Sequence, residues 1–410
     1  YGLRIPTVEV DFAAVLERAK SVVARLRHGL ESGFDGSENP KLLVGHARLE
    51  GKERGAFRLR VGGAAVAAKE VVIDTGTRSE IPDIEGLDGI DAIHAGNWVD
   101  RKDLPEHLVF IGGSFVSTEM GQFYRRMGSR VTVLEKGPRI LAREDEDVAG
   151  AVQTLLESEG IAFRTENRVE RVAPRPGGVE LAVRATAGPW KLRASHVFVA
   201  AGRRPNTDDL GLETVRLRLA KDGTIPVNEH LATRVRGLWA AGDVRGGPLF
   251  THTAWHDFRV LESQMLGDGS RTTDRIVPYA IFTDPELGRV GLTESEARAS
   301  GADVRVGRFE MWGNGKAREI GEIEGFVKLV VDGRSRRFLG AAVFAHEAAE
   351  LVHIVVALMN AGAGADVLRE AIQIHPTLAE AVQGAALALE PRAAARKVGK
   401  RKAARRAKPR

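Results

Sequence analysis

Residues 107–135 read HLVFIGG, then FVSTEMGQFYRRMG, then RVTVLE. Two apolar runs of strand length bracket a stretch with helical periodicity, and that succession predicts a parallel βαβ crossover. The turn leaving the first strand is where a dinucleotide fingerprint belongs, because glycines there let backbone N–H groups and the positive end of the helix approach a pyrophosphate. The second run ends in Glu135, 23 positions after Gly112. A carboxylate at that spacing can accept hydrogen bonds from ribose hydroxyls and would repel a 2′-phosphate, so NADH is the expected nucleotide in preference to NADPH. Lys136 and Arg139 oppose that preference. The fingerprint departs from G-x-G-x-x-G: Gly112 and Gly113 are present, but Ser114 and Ser117 take the second and third glycine positions. Ser114 sets a side chain where bare backbone should face the pyrophosphate, and Ser117 sets one where helix and strand should pack closely. Two readings follow, a nucleotide site and a structural α/β unit that has lost affinity.

The chain is 410 residues long, so the crossover accounts for a fraction of it, and two or three domains are expected. An apolar fraction of 43% and a charged fraction of 28% are those of a globular protein. No apolar run is long enough for a membrane span and the start lacks a signal-peptide pattern, so no membrane contact and a cytoplasmic location are expected. The net charge of +5 is unevenly placed. Residues 391–410 hold ten Lys/Arg and no acid; the remaining 50 basic and 55 acidic residues leave the body at −5. The segment 390–410 is expected to be a disordered tail, able to meet polyanions non-specifically or to stay solvated without a dedicated partner. There are no cysteines. That excludes a disulfide, a thiolate metal site and a thiol nucleophile supplied by this chain, and no metal site is expected.

Elsewhere, Asp11 is a candidate N-cap for a helix with apolar residues from Phe12 to Leu30. LLVGHARLE, FRLRVG and KEVVIDTG alternate with a period of two and predict a β-meander. After the crossover come a second helix (EDVAGAVQTLLESEG), β-rich stretches (RVERVA, GVELAVRA), the strands HVFVAAG and LWAAGD, and a helix over about 252–265. The last third mixes strands (GFVKLVVD, FLGAAVFA) with amphipathic helices around 347–361 and 377–389.

Seven segments, in order, resemble the FAD-dependent pyridine nucleotide–disulfide oxidoreductases, in their mercuric reductase-like or dihydrolipoamide dehydrogenase-like branch: TGTRSEIPDIEGL, IGGSFVSTE, VTVLEKGPRILAREDEDV, AAGRRPNTDDLGL, LWAAGDV with FTHTAWHD, YAIFTDPELGRVGLTE and IQIHPTLAE. The resemblance implies an α/β fold with a split, Rossmann-like FAD-binding domain, an inserted Rossmann-like NAD(P)-binding domain and a C-terminal α+β dimerisation domain, working as a homodimer. Carried onto this chain, the FAD-binding domain falls at 1–95 and 213–275, the NAD(P)-binding domain at 96–212 and the dimerisation domain at 276–389. The resemblance also implies that Asp243 faces the ribityl chain of FAD and that Thr75 and Gly76 lie beside its ADP half. Thr253 and Ala254 would begin the helix whose N-terminus faces the flavin ring. Gly112, Gly113, Ser114, Ser117, Glu135 and Gly202 would line the nucleotide, and Glu119 would be the acid of the nicotinamide pocket. His375, oriented by Glu380, would be the acid–base pair.

Two of the family's elements are missing from these 410 residues: the first GxGxxG and the C-x-x-x-x-C redox pair. With Tyr at position 1, an upstream segment is expected to be absent or removed, and the FAD site to be weak or incomplete. Disulfide or mercuric reductase activity is not expected without cysteines. The expected function is a flavin-dependent NAD(P)H oxidoreductase with no thiol relay of its own. The alternatives are a truncated, inactive homologue serving as a dimeric nucleotide-binding module, and a platform whose basic tail is the functional part.

Overall fold

The computed structural model describes residues 2–34 and 40–389; the expected basic tail at 390–410 lies outside the described residues. The chain divides into two compact units, 1–288 and 289–410.

The first unit opens with helix α1 (Phe12–Ser32), capped as expected by Asp11, whose Oδ1 accepts from the Ala14 N–H at 3.0 Å. Only Phe12 and Leu16 of its apolar face are buried, and Leu26 and Leu30 are exposed. A meander follows, β1 (Ala47–Glu53), β2 (Ala56–Val61) and β3 (Ala64–Ala68), all antiparallel. Its third strand is AAVAA rather than the expected KEVVIDTG. Within the latter, β4 (Val71–Ile73) leaves the meander and later pairs in parallel with a distant strand, and β5 (Thr77–Ser79) follows it. The reason is burial: AAVAA suits an exposed edge, whereas Ile73 is needed in a core with Leu49, Phe57, Ile225 and Leu238.

The crossover forms as read: β6 (His107–Ile111), α2 (Phe115–Met127), β7 (Arg130–Leu134). Next come α3 (Glu146–Ser158) and β8 (Ala162–Arg164), then an antiparallel sheet of β9 (Asn167–Arg175), β10 (Gly178–Ala185) and β11 (Gly188–Ala194). The strand β12 (His196–Val199) completes a four-stranded parallel sheet of order β12-β6-β7-β8. Residues of β6 are buried throughout, which is why it reads as an unbroken apolar run. The chain returns through β13 (Arg203–Pro205), antiparallel to β5, and β14 (Leu238–Ala240), the parallel partner of β4. The helix α4 (Thr251–Leu266) and strand β15 (Pro278–Ile281) follow.

The strand β16 (Glu286–Gly291) runs across the division. The second unit then holds α5 (Glu294–Ala299), β17 (Val304–Glu310), α6 (Gly315–Ile320), β18 (Phe326–Asp332), β19 (Phe338–Ala345), α7 (Ala348–Asn360), α8 (Ala365–Glu370) and α9 (Ala379–Leu387). Here β17, β18 and β19 are neighbours in an antiparallel sheet, and β18 and β19 supply the core through Phe326, Val330, Val343 and Phe344. Among the described residues no helix is long and apolar enough to cross a membrane.

Candidate functional site

The turn after β6 needs its glycines. Gly112 has φ +104°, and a Cβ there would come within 2.5 Å of the Ala200 carbonyl oxygen. A Cβ on Gly113 would fall 2.9 Å from that of Glu135. Ser114 needs no such freedom: as the residue preceding α2 it is extended (φ −89°), and its side chain makes no capping bond. The N–H groups of Phe115 and Val116 at the start of α2 therefore keep their capacity for an anion, whereas that of Ser117 is donated to the Ser114 carbonyl at 3.0 Å. Ser117 is fully buried and donates its hydroxyl to the Gly112 carbonyl oxygen. The close packing expected to suffer from this serine is kept, because its small side chain satisfies the turn it was expected to disturb.

Glu135, directly after β7, ties this turn to the neighbouring loop. Its Oε2 accepts from Gly113 N–H and its Oε1 from Gly137 N–H, each at 2.6 Å. These residues open on a cavity of about 820 Å³, lined also by Val116, Lys136, residues 167–170 and residues 199–203, Gly202 included. Its size is that of a ligand site. Ser79, Ala95 and Arg203 form a wall common to a second cavity of about 400 Å³, which adds Arg78, His94 and Arg204.

Arg203 leads from the larger cavity to Asp243. Its Nε donates to Thr77 Oγ1 at 2.7 Å; Thr77 in turn donates to Asp243 Oδ2 at 2.7 Å, and Arg203 Nε stands 3.9 Å from that same oxygen. Thr75 and Gly76 are fixed by Asn206: the Thr75 hydroxyl donates to its carbonyl at 2.7 Å, and its N–H donates to the Gly76 carbonyl at 2.9 Å. Gly242 fills the space between Asp74 and Ala254, where a side chain would overlap the Asp74 carboxylate. Partial burial, followed by the charges of Asp257 and Asp243, pushes the Asp74 carboxyl above its ordinary range. Thr253 is buried, with its hydroxyl turned back to the Pro248 and Phe250 carbonyls, so it shapes the start of α4 instead of presenting a donor. Underneath, Asp257 accepts from Gly242 N–H at 3.0 Å, from Arg245 at 2.5 and 2.9 Å and from Arg275 at 2.7 Å. Burial alone would raise Asp257, but the bonds from the two guanidinium groups outweigh it and hold the carboxylate below the usual range. Thr75, Gly76, Asp243 and Ala254 are thus gathered about the Gly242 turn.

Glu119, on α2, is half-buried and accepts from Phe282 N–H at 2.8 Å. Burial pushes its carboxyl up and the Phe282 N–H only partly offsets this. In the second unit His375 is exposed, with Nδ1 3.0 Å from Glu380 Oε1. The Thr377 N–H and then His375 hold Glu380 below the usual carboxylate range.

A parallel βαβ unit whose glycine turn is closed by an acid at the end of the second strand is the architecture of dinucleotide-binding proteins. The chain belongs to the pyridine nucleotide–disulphide oxidoreductase family: that family's model matches residues 8–257, and the model of its dimerisation domain matches 277–386. Members of this family are FAD- and NAD(P)-dependent oxidoreductases. The chain is 33% identical over 394 residues to dihydrolipoyl dehydrogenase of Cupriavidus necator, covering 96% of this chain and 83% of that one. It is 30% identical over 375 residues to the probable pyridine nucleotide-disulfide oxidoreductase RclA of Escherichia coli, covering 91% and 84%. The structure of the HOCl-induced flavoprotein disulfide reductase RclA from Escherichia coli superposes with a TM-score of 0.85 at 31% identity, over 91% of this chain and 85% of that one. The α/β fold expected from the sequence, with Rossmann-like and dimerisation portions, is the observed one.

Sequence reasoning passed over Thr77, Arg203, Arg245, Asp257 and Arg275. Thr77, Arg203 and Asp257 sit inside quoted motifs and could have been flagged. The triad of Asp257 with two arginines spans 245–275 with no regular spacing, and only the packing of α4 reveals it.

Proposed function

We propose that the chain is an FAD-dependent NAD(P)H oxidoreductase in which the glycine turn at 112–114 and the N-terminus of α2 hold the nucleotide. The observation that carries this reading is the 820 Å³ cavity opening on that turn, with Arg203 joining its wall to Thr77 and Asp243. Flavin, when bound, supplies a two-electron acceptor for a nicotinamide hydride. In this reading Ser114 and the N–H groups of Phe115 and Val116 hold the pyrophosphate, while Glu135 fixes the turn and meets the ribose. Gly202 lets the backbone approach the ligand. Thr75, Gly76 and Asp243 hold the FAD, and Ala254 lets α4 come close to the ring. Half-buried and with its carboxyl raised by burial, Glu119 is the acid of the nicotinamide end. His375, steered by the Glu380 carboxylate, holds or releases a proton for the electron acceptor. Since the 410 residues include no cysteine, the acceptor takes electrons without a thiol of this chain.

This reading takes the domain bounds to be 1–95 with 213–275, 96–212 and 276–389. It includes a homodimer built on 276–389, weak FAD retention, a cytoplasmic location and NADH as a working nucleotide. The absence of cysteine also favours a second reading, a dimeric nucleotide-binding module without turnover. One preparation separates them: the full chain is loaded with FAD, its visible spectrum recorded, and NADH oxidation followed with a quinone. A flavin band with turnover is expected. A colourless protein that still titrates with NADH establishes the module, and one that neither colours nor binds refutes both.

A further inference from the structure

One flank of α2 grips the segment that continues β15. Glu119, Gln122 and Arg126 stand at i, i+3 and i+7 of this helix, so they share a face. Along residues 282–285 the burial alternates, Phe282 and Asp284 exposed, Thr283 and Pro285 buried, as in an extended chain. The N–H groups of Phe282 and Asp284 therefore point to one side, and α2 takes both: Phe282 N–H donates to Glu119 Oε1 and Asp284 N–H to Gln122 Oε1, each at 2.8 Å. Gln122 is buried, and its Nε2 donates to the Asp284 carbonyl at 2.8 Å. One side-chain amide thus closes on the N–H and the C=O of a single residue, as a neighbouring strand would. The same nitrogen donates to Glu159 Oε1 at 2.8 Å, which fixes the amide from behind.

Resting on the reading of Glu119 as the acid of the nicotinamide end, we infer that Gln122 is a positioning residue for the nucleotide reaction: by gripping Asp284 it keeps the Phe282 N–H on Glu119, and so sets the orientation and charge of that carboxyl. Burial favours the neutral form of Glu119, and the Phe282 N–H is the bond that offsets it. The charged groups on this flank are matched to one another, since Arg126 pairs with Glu159 at 2.8 Å and with Asp284 at 2.5 Å. Releasing residues 282–284 therefore takes one donor from Glu119, and its carboxyl should titrate higher.

The test reads that titration directly. The full chain, labelled with carbon-13 at the glutamate carboxyl carbon, is titrated by NMR, and E119Q identifies the Glu119 resonance. In Q122M, which keeps the length of the side chain without its donor and acceptor, Glu119 is expected to titrate about one pH unit higher than in the unaltered chain, for the loss of one hydrogen bond to a carboxylate. Q122N, a methylene too short to reach Asp284, should move it the same way, and carries the test where Q122M does not fold. Calorimetric titration of the FAD-loaded chain with NADH across pH supplies the functional reading: its midpoint should move with Glu119, and the movement should vanish in E119Q/Q122M. Glu119 titrating alike in the unaltered chain and the Gln122 variants overturns the inference and leaves the Glu119 reading standing. A shifted Glu119 with the pH dependence of NADH affinity unchanged overturns the place given to Glu119, and this inference with it. Failure of NADH to bind the unaltered chain overturns the nucleotide site and both readings built on it.

Discussion

Glu135 is the residue whose structural and ligand roles can be separated most cleanly. Replacing it with glutamine keeps volume and shape but changes what the side chain can accept. The carboxylate holds the N–H groups of Gly113 and Gly137 at 2.6 Å each, one per oxygen. A glutamine offers one oxygen, and its NH2 group faces the other N–H donor to donor. Hydrogen bonds to a charged group contribute about 1.5–3 kcal/mol against about 1 kcal/mol for neutral ones. Glu135 is only half-buried, so the lower end applies: roughly 0.5 kcal/mol is lost at the amide that keeps a partner and about 2 kcal/mol at the one that is left facing a donor. Since 1.4 kcal/mol is tenfold, exchange of these amides by local opening should accelerate about 2-fold and about 30-fold respectively. Native-state hydrogen exchange of E135Q, read on peptides covering 108–120 and 130–140, measures this without nucleotide present. Peptides from β18 in the second unit serve as the internal control. Unchanged exchange in both test peptides would refute the clamp and return Glu135 to a purely ligand-facing role.

Three further perturbations probe the rest of the first unit. Ser117→Ala removes the hydroxyl bound to the Gly112 carbonyl and should cost about 1 kcal/mol, a drop of about 2–4 °C in a thermal melt; an unchanged melt means the serine is a passive filler. Asp257→Asn leaves the nearly buried Arg245 and Arg275 without their carboxylate, a loss of about 3–5 kcal/mol, so the variant should bind added FAD more weakly than the parent in titration and melt early; FAD affinity at the parental level contradicts the role given to that triad. Burial, and then the Arg130 guanidinium, hold His107 below its ordinary 6.5. The unfolded chain therefore takes up this proton first, and stability present above about pH 6.5 is lost as pH falls below it. His107→Asn should flatten the fall in melting temperature between about pH 7 and 5.5; His196 and His256 are lowered likewise, so the slope should diminish without vanishing.

What the sequence disclosed about the fold follows from where the stabilising contacts lie. The crossover was readable because β6 is buried on both faces and α2 on one, so their periodicities are written in consecutive residues. The meander was misread at its third strand for the converse reason. Val71–Ile73 is a good strand former anywhere, and its partner, Leu238–Ala240, lies more than 160 residues further on. No local pattern distinguishes a parallel partner at that distance from an antiparallel one next door. β11 and β17 were passed over because exposed charged residues, Lys191 and Arg193 in the first and Arg305 and Arg308 in the second, dilute the apolar signal that β19 shows undiluted.

The same distinction separates the site residues that motifs revealed from those they hid, and it bears on the two serines. By composition a fingerprint short of two glycines reads as decay. In the folded chain only Gly112 and Gly113 meet a steric demand, one from the Ala200 carbonyl and one from Glu135. Position 114 asks for nothing but an extended backbone, and position 117 asks for a group small enough to fit and able to bond the Gly112 carbonyl. Counting glycines therefore overstates the damage, because the requirement at each position is set by what lies opposite it. Glu135 carries this further. The spacing that marks it as a ribose ligand also brings it within reach of Gly113, and a carboxylate spent on the turn is a weaker guard against a phosphate.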